Sequence, residues 1–156
     1  MRPSRFVRPV LFLLLCAGCA MGQVPAEKSG SNPTTEAVAA PPETGLTRIF
    51  FYRNPFAGIG VQPDITLNGQ SIGASPLNGE YYFVERTPGK YEVELAKYLP
   101  ISPKTTLTLD AGKTAYVRIS WQFFPFVGSW LSPEVVDPAT GAKEIQALTR
   151  SGVTAQ

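Results

Sequence analysis

Hydrophobic and polar residues alternate in short runs through most of the chain. From Leu46 onwards, runs of β-branched and aromatic residues are separated by Gly, Pro, Asn and Asp at roughly 8 to 12 residue intervals. No stretch before Pro133 has a convincing helical period. The pattern predicts a mainly β fold, a small antiparallel β-sandwich over residues 46–150, with a disordered tail at 151–156. It has about seven strands, or about eight if Glu134 to Val136 forms another.

Alternation within single runs predicts which way the side chains point. Val93 and Leu95 are separated by the polar Glu94, so they are expected to share the buried face of one strand. The runs at residues 49–52 and 81–84 are apolar at every position, which predicts central strands. The other strands have one apolar face and one polar face, which indicates two β-sheets packed through their apolar faces.

Three turns are predicted from residues that favour special backbone angles. Asn68-Gly69 provides the pair needed for a type I′ hairpin turn, in which both residues have positive φ. Pro88-Gly89 fits the two central positions of a type II turn, and Asp110 to Lys113 predicts a turn of the same kind.

The segment from 137 to 150 has two interpretations. Asp137 would cap a short C-terminal helix, and the spacing of Ile145 and Leu148 favours that helix. Gly141 favours a hairpin turn instead. Both interpretations stay open on the sequence alone.

The N-terminus has the three parts of a secretory signal. Arg2, Arg5 and Arg8 precede an apolar run from Val10 to Leu15, and small residues follow. The apolar stretch from Val10 to Met21 is about 12 residues long, whereas about 20 are needed to cross a bilayer as a helix. The chain is therefore expected to be exported.

Ala17-Gly18-Cys19 resembles the lipobox of bacterial lipoproteins, although Cys16 stands where a leucine is usual. The resemblance implies a lipoprotein signal peptide over residues 1–18 and a covalent diacylglycerol and N-acyl lipid on Cys19, with no other cofactor. Since an aspartate after the cysteine retains enteric lipoproteins in the inner membrane, Ala20 implies the outer membrane, facing the periplasm. The alternative is ordinary cleavage after Gly22, which releases a soluble periplasmic protein.

Residues 19–45 have the composition of a flexible linker that follows the lipidated N-terminus. From Met21 to Gly45 there are four prolines, many small residues and no aromatic residue. The whole chain has 14 basic and 12 acidic side chains, and three of the basic ones lie in the signal peptide. The nearly neutral remainder gives no reason to expect nucleic acid as a partner.

Catalytic chemistry has little support in the sequence. The chain has no histidine and both cysteines lie near the N-terminus, so no catalytic or metal-ligating residue is predicted in the domain. Paired carboxylates offer the one enzymatic alternative. Glu92 and Glu94 share a strand face, and a hydrolase would need them to converge with Glu80 in one pocket.

Residues 121–131 form an aromatic stretch that contains both tryptophans of the chain. One interpretation is the end of a strand and a loop that folds over the open end of the sandwich. The other is an exposed surface that docks on a partner or enters the headgroup region of a membrane. The candidate contact residues are Trp121, Phe123, Phe124, Phe126, Trp130 and Leu131.

An aromatic strand ending in Tyr52-Arg53, a hairpin at Asn68-Gly69 and a strand after Pro88-Gly89 follow one another in the chain. This order resembles the DUF2846 family of bacterial lipoproteins and cell-envelope proteins, and more loosely PEGA-type modules. The resemblance implies a small β-sandwich of the prealbumin-like kind and no known catalytic residues.

These features predict a lipid-anchored cell-envelope lipoprotein whose β-sandwich is a non-catalytic binding or structural module. The membrane is one expected partner, through the lipid anchor. Another envelope protein, peptidoglycan or a glycan is the expected ligand of the domain. The alternatives are a soluble periplasmic β-sandwich protein and, less favoured, an envelope hydrolase with a carboxylate site.

Overall fold

A computed structural model of the protein describes residues 40–56, 60–96, 102–126 and 128–151. The predicted signal peptide, the lipidation site, most of the linker and the end of the tail lie outside these residues. Nine strands and one helix, α1 (Pro138–Ile145), occur within the described ranges. That helix is too short and polar to cross a membrane. The strands are β1 (Thr47–Tyr52), β2 (Asp64–Leu67), β3 (Gln70–Ala74), β4 (Glu80–Arg86), β5 (Gly89–Ala96), β6 (Lys104–Leu109), β7 (Thr114–Phe124), β8 (Gly128–Val136) and β9 (Thr149–Arg150).

The strands form two sheets, which confirms the predicted sandwich. A four-stranded sheet has the order β3-β2-β5-β6 and is antiparallel throughout. A five-stranded sheet has the order β8-β7-β1-β4-β9. It departs from a purely antiparallel arrangement, because β1 runs parallel to β7 and β4 runs parallel to β9. The β6–β7 turn crosses from one sheet to the other, so β7 enters beside β1 in the same direction.

The main core lies between the two sheets. Val93 and Leu95 are fully buried there, while Glu94 points outward, as the alternation predicted. The five-stranded sheet contributes the facing side chains Ile49, Phe51, Tyr82, Val84, Val117, Ile119 and Leu131.

A second apolar cluster lies on the other face of the five-stranded sheet, beneath α1 and the residues that follow it. The Phe50 and Tyr116 rings stack there with centroids 5.3 Å apart. Ile145 of α1 is fully buried against this face. The cover explains why the runs at 49–52 and 81–84 are apolar on both faces: each strand is central and has a core on either side.

The helix settles the two interpretations of the C-terminal segment. Asp137 caps α1, since its carboxylate accepts hydrogen bonds from the backbone N–H groups of Ala139 and Thr140 at 3.0 and 3.2 Å. Gly141 serves packing and forms no turn. A Cβ at this position would lie 2.3 Å from Cγ of Tyr116, so only glycine lets α1 approach the sheet this closely.

The three predicted turns have different outcomes. Asn68 and Gly69 have φ of 51° and 81° between the paired strands β2 and β3, which confirms the type I′ hairpin. The turn at Asp110 to Lys113 is also confirmed, since the Lys113 N–H donates to the Asp110 carbonyl at 3.1 Å. Gly89 has φ of 157° instead of the value near 80° that a type II turn requires. The chain therefore passes from β4 in one sheet to β5 in the other without a type II turn.

Candidate functional site

Strand directions give the sandwich two distinct ends. The chain enters at Thr47, and the pairing of Arg48 with Thr114 places the start of β7 at the same end. We call this the near end. The pairing of Tyr52 with Arg118 marks the level at which β1 finishes, and beyond it lies the far end.

The aromatic stretch lies at the far end, in a hairpin that projects beyond its neighbour. After Arg118, β7 continues to Phe124 and pairs only with β8. We call residues 119–133 the aromatic hairpin. At about 3.3 Å per residue, Phe124 lies about 33 Å along the strand from Thr114. The tip of the hairpin is therefore at the opposite end of the domain from the point where the linker joins.

The structure separates the six candidate contact residues. The prediction that Leu131 contacts a partner is wrong, because this side chain is fully buried in the main core. Phe123 is 75% exposed and Phe126 is fully exposed at the tip. Trp121 is 37% exposed and Trp130 is partly buried nearer the base. For Phe124, only the backbone is described. Phe123 and Phe126 thus project into solvent and do not fold over the end of the sandwich.

Phe126 also has an unfavourable backbone conformation. Its φ is 67°, in the left-handed region that favours Gly and Asn. Placing a bulky residue there costs about 1–2 kcal/mol, and a fully exposed ring recovers none of this through burial. Because burial of the ring does not offset this backbone strain, the conformation indicates a functional role for the Phe126 side chain.

Two further apolar side chains at the far end were missed by sequence reasoning. Phe56, in the turn after β1, is 98% exposed, and Leu77, in the connection before β4, is 41% exposed. The available signal was weak, because each is a single apolar residue beside a proline. Val135 is the only other large apolar side chain exposed within the described ranges. We call Phe56, Leu77, Trp121, Phe123 and Phe126 together the far-end surface.

A buried arginine holds together the connections that carry this surface. Arg53 is fully buried, and its Nη1 atom donates to the backbone oxygens of Val61 at 2.6 Å and Pro76 at 3.3 Å. Its backbone N–H donates to the Glu80 carbonyl, and its own carbonyl accepts from Gly79. The end of β1 is thereby fastened to the loops on either side of it.

Ion pairs at the base of the aromatic hairpin fix its direction. Arg118 donates to Glu134 on β8 at 3.0 Å and to Glu144 on α1 at 2.8 Å. The Tyr52 hydroxyl donates to the same Glu144 carboxylate at 2.6 Å. Burial and this hydrogen bond raise the pKa of Tyr52 well above its ordinary value. Burial lowers the pKa of Arg118, but its two carboxylate partners outweigh that effect and raise it overall.

The near end has a different character, because charged groups hold the linker there. Arg48 forms a largely buried ion pair with Glu85, with Nη2 and Oε1 2.6 Å apart. Its guanidinium also donates to the backbone oxygens of Ala40 at 2.8 Å and Pro41 at 3.3 Å. The first described residues of the linker are therefore bound to the domain.

The carboxylates considered for catalysis do not come together. Glu92 and Glu94 lie on the outer face of the four-stranded sheet, where Lys104 bridges them at 3.0 and 3.4 Å. Glu80 begins β4 in the other sheet. Across the described ranges, no group of three acidic, cysteine or histidine side chains is placed to hold a metal ion.

Comparison with protein families gives a match. The family model described as a protein of unknown function (DUF2846) matches residues 43–130, which is 88 of the 156 residues. The match runs from just before β1 into β8 and stops before α1. No curated protein matches the chain.

Proposed function

We propose that this chain, which belongs to the DUF2846 family, is a lipid-anchored lipoprotein of the cell envelope whose β-sandwich acts as a non-catalytic binding module. Cys19 carries the diacylglycerol and N-acyl lipid, and the protein resides at the outer membrane facing the periplasm. The observation that carries the binding role is the far-end surface. It gathers five of the six large apolar side chains that the described residues expose.

The lipid anchor is supported by the sequence around Cys19. A thiol after two small residues, behind a basic and apolar leader, suits acylation followed by cleavage. Each buried methylene contributes about 0.8 kcal/mol, so two acyl chains are enough for stable membrane attachment. Ordinary secretory cleavage would leave the domain unattached.

The binding role is supported by how the apolar residues are arranged. Single exposed apolar residues are common on soluble proteins, but residues gathered at one end mark an interaction site. The aromatic hairpin is rich in Trp and Phe, the residues that dominate contact energies. An envelope protein, peptidoglycan or a glycan are the ligands proposed on this evidence.

The anchor is tested by labelling cells with radioactive palmitate. The protein is expected to take up label and to fractionate with membranes, and Cys19→Ser is expected to lose both properties. Cys16→Ser is the matched control, because it changes a neighbouring thiol within the discarded leader and is expected to keep the label. Label that persists in Cys19→Ser would refute the anchor.

A further inference from the structure

We infer that the far-end surface binds a lipid bilayer, and that this bilayer is the one that holds the lipidated Cys19. The inference deepens the proposed function and rests on it for the identity of the membrane. Four observations support it: the order of side chains along the aromatic hairpin, the absence of charged residues from the described far-end connections, the placement of the apolar side chains on separate elements, and the length of chain before the domain.

The order of aromatic residues along the hairpin matches the polarity gradient of a bilayer. Phe123 and Phe126, which have no polar atom in the side chain, lie at the projecting tip. Trp121 and Trp130 lie nearer the core, and the indole N–H of each suits the hydrated headgroup level. Insertion of the tip would therefore place Phe in hydrocarbon and Trp at the interface.

The described connections at the far end contain no charged residue. The connections there are residues 54–56, 60–63, 75–79, 102–103 and the aromatic hairpin, and none of these described residues is Asp, Glu, Lys or Arg. At the near end, Glu43, Asp110, Lys113 and Asp137 are all exposed. A bilayer interior excludes charge, so these described connections can enter it without desolvating an ion, whereas the near end stays in water.

The exposed apolar side chains of the far end lie on separate elements. Phe126 stands at the tip of the hairpin, and Phe56 and Leu77 lie on separate connections of the same end. Projecting side chains on separate loops suit a deformable lipid surface, whereas a partner of fixed shape needs a matching concavity for each of them. Phe126, whose φ is 67°, has its ring fully exposed at the tip.

The chain before the domain is long enough for the far end to reach the same membrane. Residues 19–39 extend to at most about 70 Å, at about 3.3 Å per residue. The far end lies about 33 Å from the near end, where Arg48 binds the end of the linker. A domain lying along the membrane would thus be held at two points, by the lipid on Cys19 and by the aromatic hairpin, and the linker would supply a high effective concentration for the second contact.

Tryptophan fluorescence tests this inference directly, because Trp121 and Trp130 are the only tryptophans of the chain and both lie in the hairpin. The probe is a set of phosphatidylcholine vesicles and of mixed phosphatidylethanolamine and phosphatidylglycerol vesicles, with and without brominated acyl chains. The protein is the full mature chain from residue 19, either lipidated or carrying Cys19→Ser.

The expected result is a blue shift and quenching by brominated chains for both proteins, unchanged at high salt because no ion pair is involved. Each of Phe123→Ser and Phe126→Ser is expected to lower the vesicle partition coefficient of the Cys19→Ser chain roughly tenfold, and both together roughly a hundredfold. Val135→Ser is the matched control, since it removes the exposed apolar side chain outside the far-end surface, and no change is expected.

Two results would overturn the inference without touching the anchor. One is a lipidated protein that floats with brominated vesicles while its tryptophans remain unquenched. The other is binding that Val135→Ser weakens as much as the two Phe substitutions do. Failure of the anchor would give a different result. The wild-type protein would then take up no palmitate label, while the Cys19→Ser chain would still insert its hairpin into vesicles.

Discussion

Replacing Phe126 by Asn is expected to stabilise the domain. The residue has φ of 67° and its ring is fully exposed, so the folded state bears backbone strain and gains no burial. The left-handed region costs a bulky residue about 1–2 kcal/mol, and Asn tolerates it much better. Phe126→Asn should therefore raise the free energy of unfolding by about 0.5–1 kcal/mol. For a domain of this size, that corresponds to a Tm increase of roughly 2–6 °C.

The matched control is Phe56→Asn. Phe56 is 98% exposed and does not have positive φ, so the same chemical change occurs without any relief of strain. It should alter the free energy of unfolding by less than about 0.5 kcal/mol. Both variants are made in the mature Cys19→Ser chain and unfolded by heat and by urea, with far-UV circular dichroism as the probe. A Phe126→Asn protein no more stable than Phe56→Asn would refute the strain argument.

Three further predictions concern the contacts that hold the domain together. Gly141→Ala should lower the free energy of unfolding in urea by about 2 kcal/mol, because the new Cβ would collide with the Tyr116 side chain. This loss is expected despite the better helix propensity of alanine. Thr140→Ala, one residue earlier on the exposed side of α1, should change the free energy of unfolding by less than about 0.5 kcal/mol. Glu85→Gln should lower the free energy of unfolding by about 2 kcal/mol or more, since it removes the counter-charge of the largely buried Arg48. Glu92→Gln, which changes an exposed ion pair, should have no measurable effect on stability. Stability should hold up to about pH 10 and fall above it, because burial raises the pKa of Tyr52 and Tyr82 and only the unfolded chain then ionises these tyrosines. At pH 11 each of these tyrosines is expected to lower the free energy of unfolding by about 1.4 kcal/mol. Tyr52→Phe should therefore make the free energy of unfolding fall less steeply with pH above about 10. An equally steep fall in the variant would contradict the role given to Tyr52.

The sandwich was predictable because its signals are local. Alternation at Val93, Glu94 and Leu95 sets the side-chain direction of a strand, and Asn68-Gly69 sets a turn within two residues. Neither depends on what the rest of the chain does. The runs at 49–52 and 81–84 also correctly indicated strands buried on both faces.

What covers those strands depends on distant parts of the chain and was not predictable. Gly141 looks like a turn residue in the sequence, and its role is visible only once α1 lies against Tyr116. Gly89 also differs from its prediction, because its φ of 157° lies outside the range of a type II turn at the point where the chain passes from the five-stranded to the four-stranded sheet.

The candidate contact surface was predictable only in part. Composition located the aromatic hairpin, but the direction of each side chain decided which residues are exposed. Leu131 pairs with Trp121 across the hairpin and falls within the core, whereas Phe123, one step closer to the tip on that face, does not. Phe56 and Leu77 join the surface through the fold alone, since Arg53 gathers their connections at the far end.

Photocrosslinking in living cells tests the central claim most directly. A photoreactive group is introduced by Phe126→p-benzoylphenylalanine, which keeps an aromatic ring at the tip, and by Val135→p-benzoylphenylalanine as the control. If the far end rests on the membrane that carries the lipidated Cys19, position 126 will form lipid adducts detectable by mass spectrometry and position 135 will not. Adducts from position 126 to a protein or to peptidoglycan, with no lipid adduct, would contradict bilayer binding by the far end and would leave only the proposed binding of an envelope ligand.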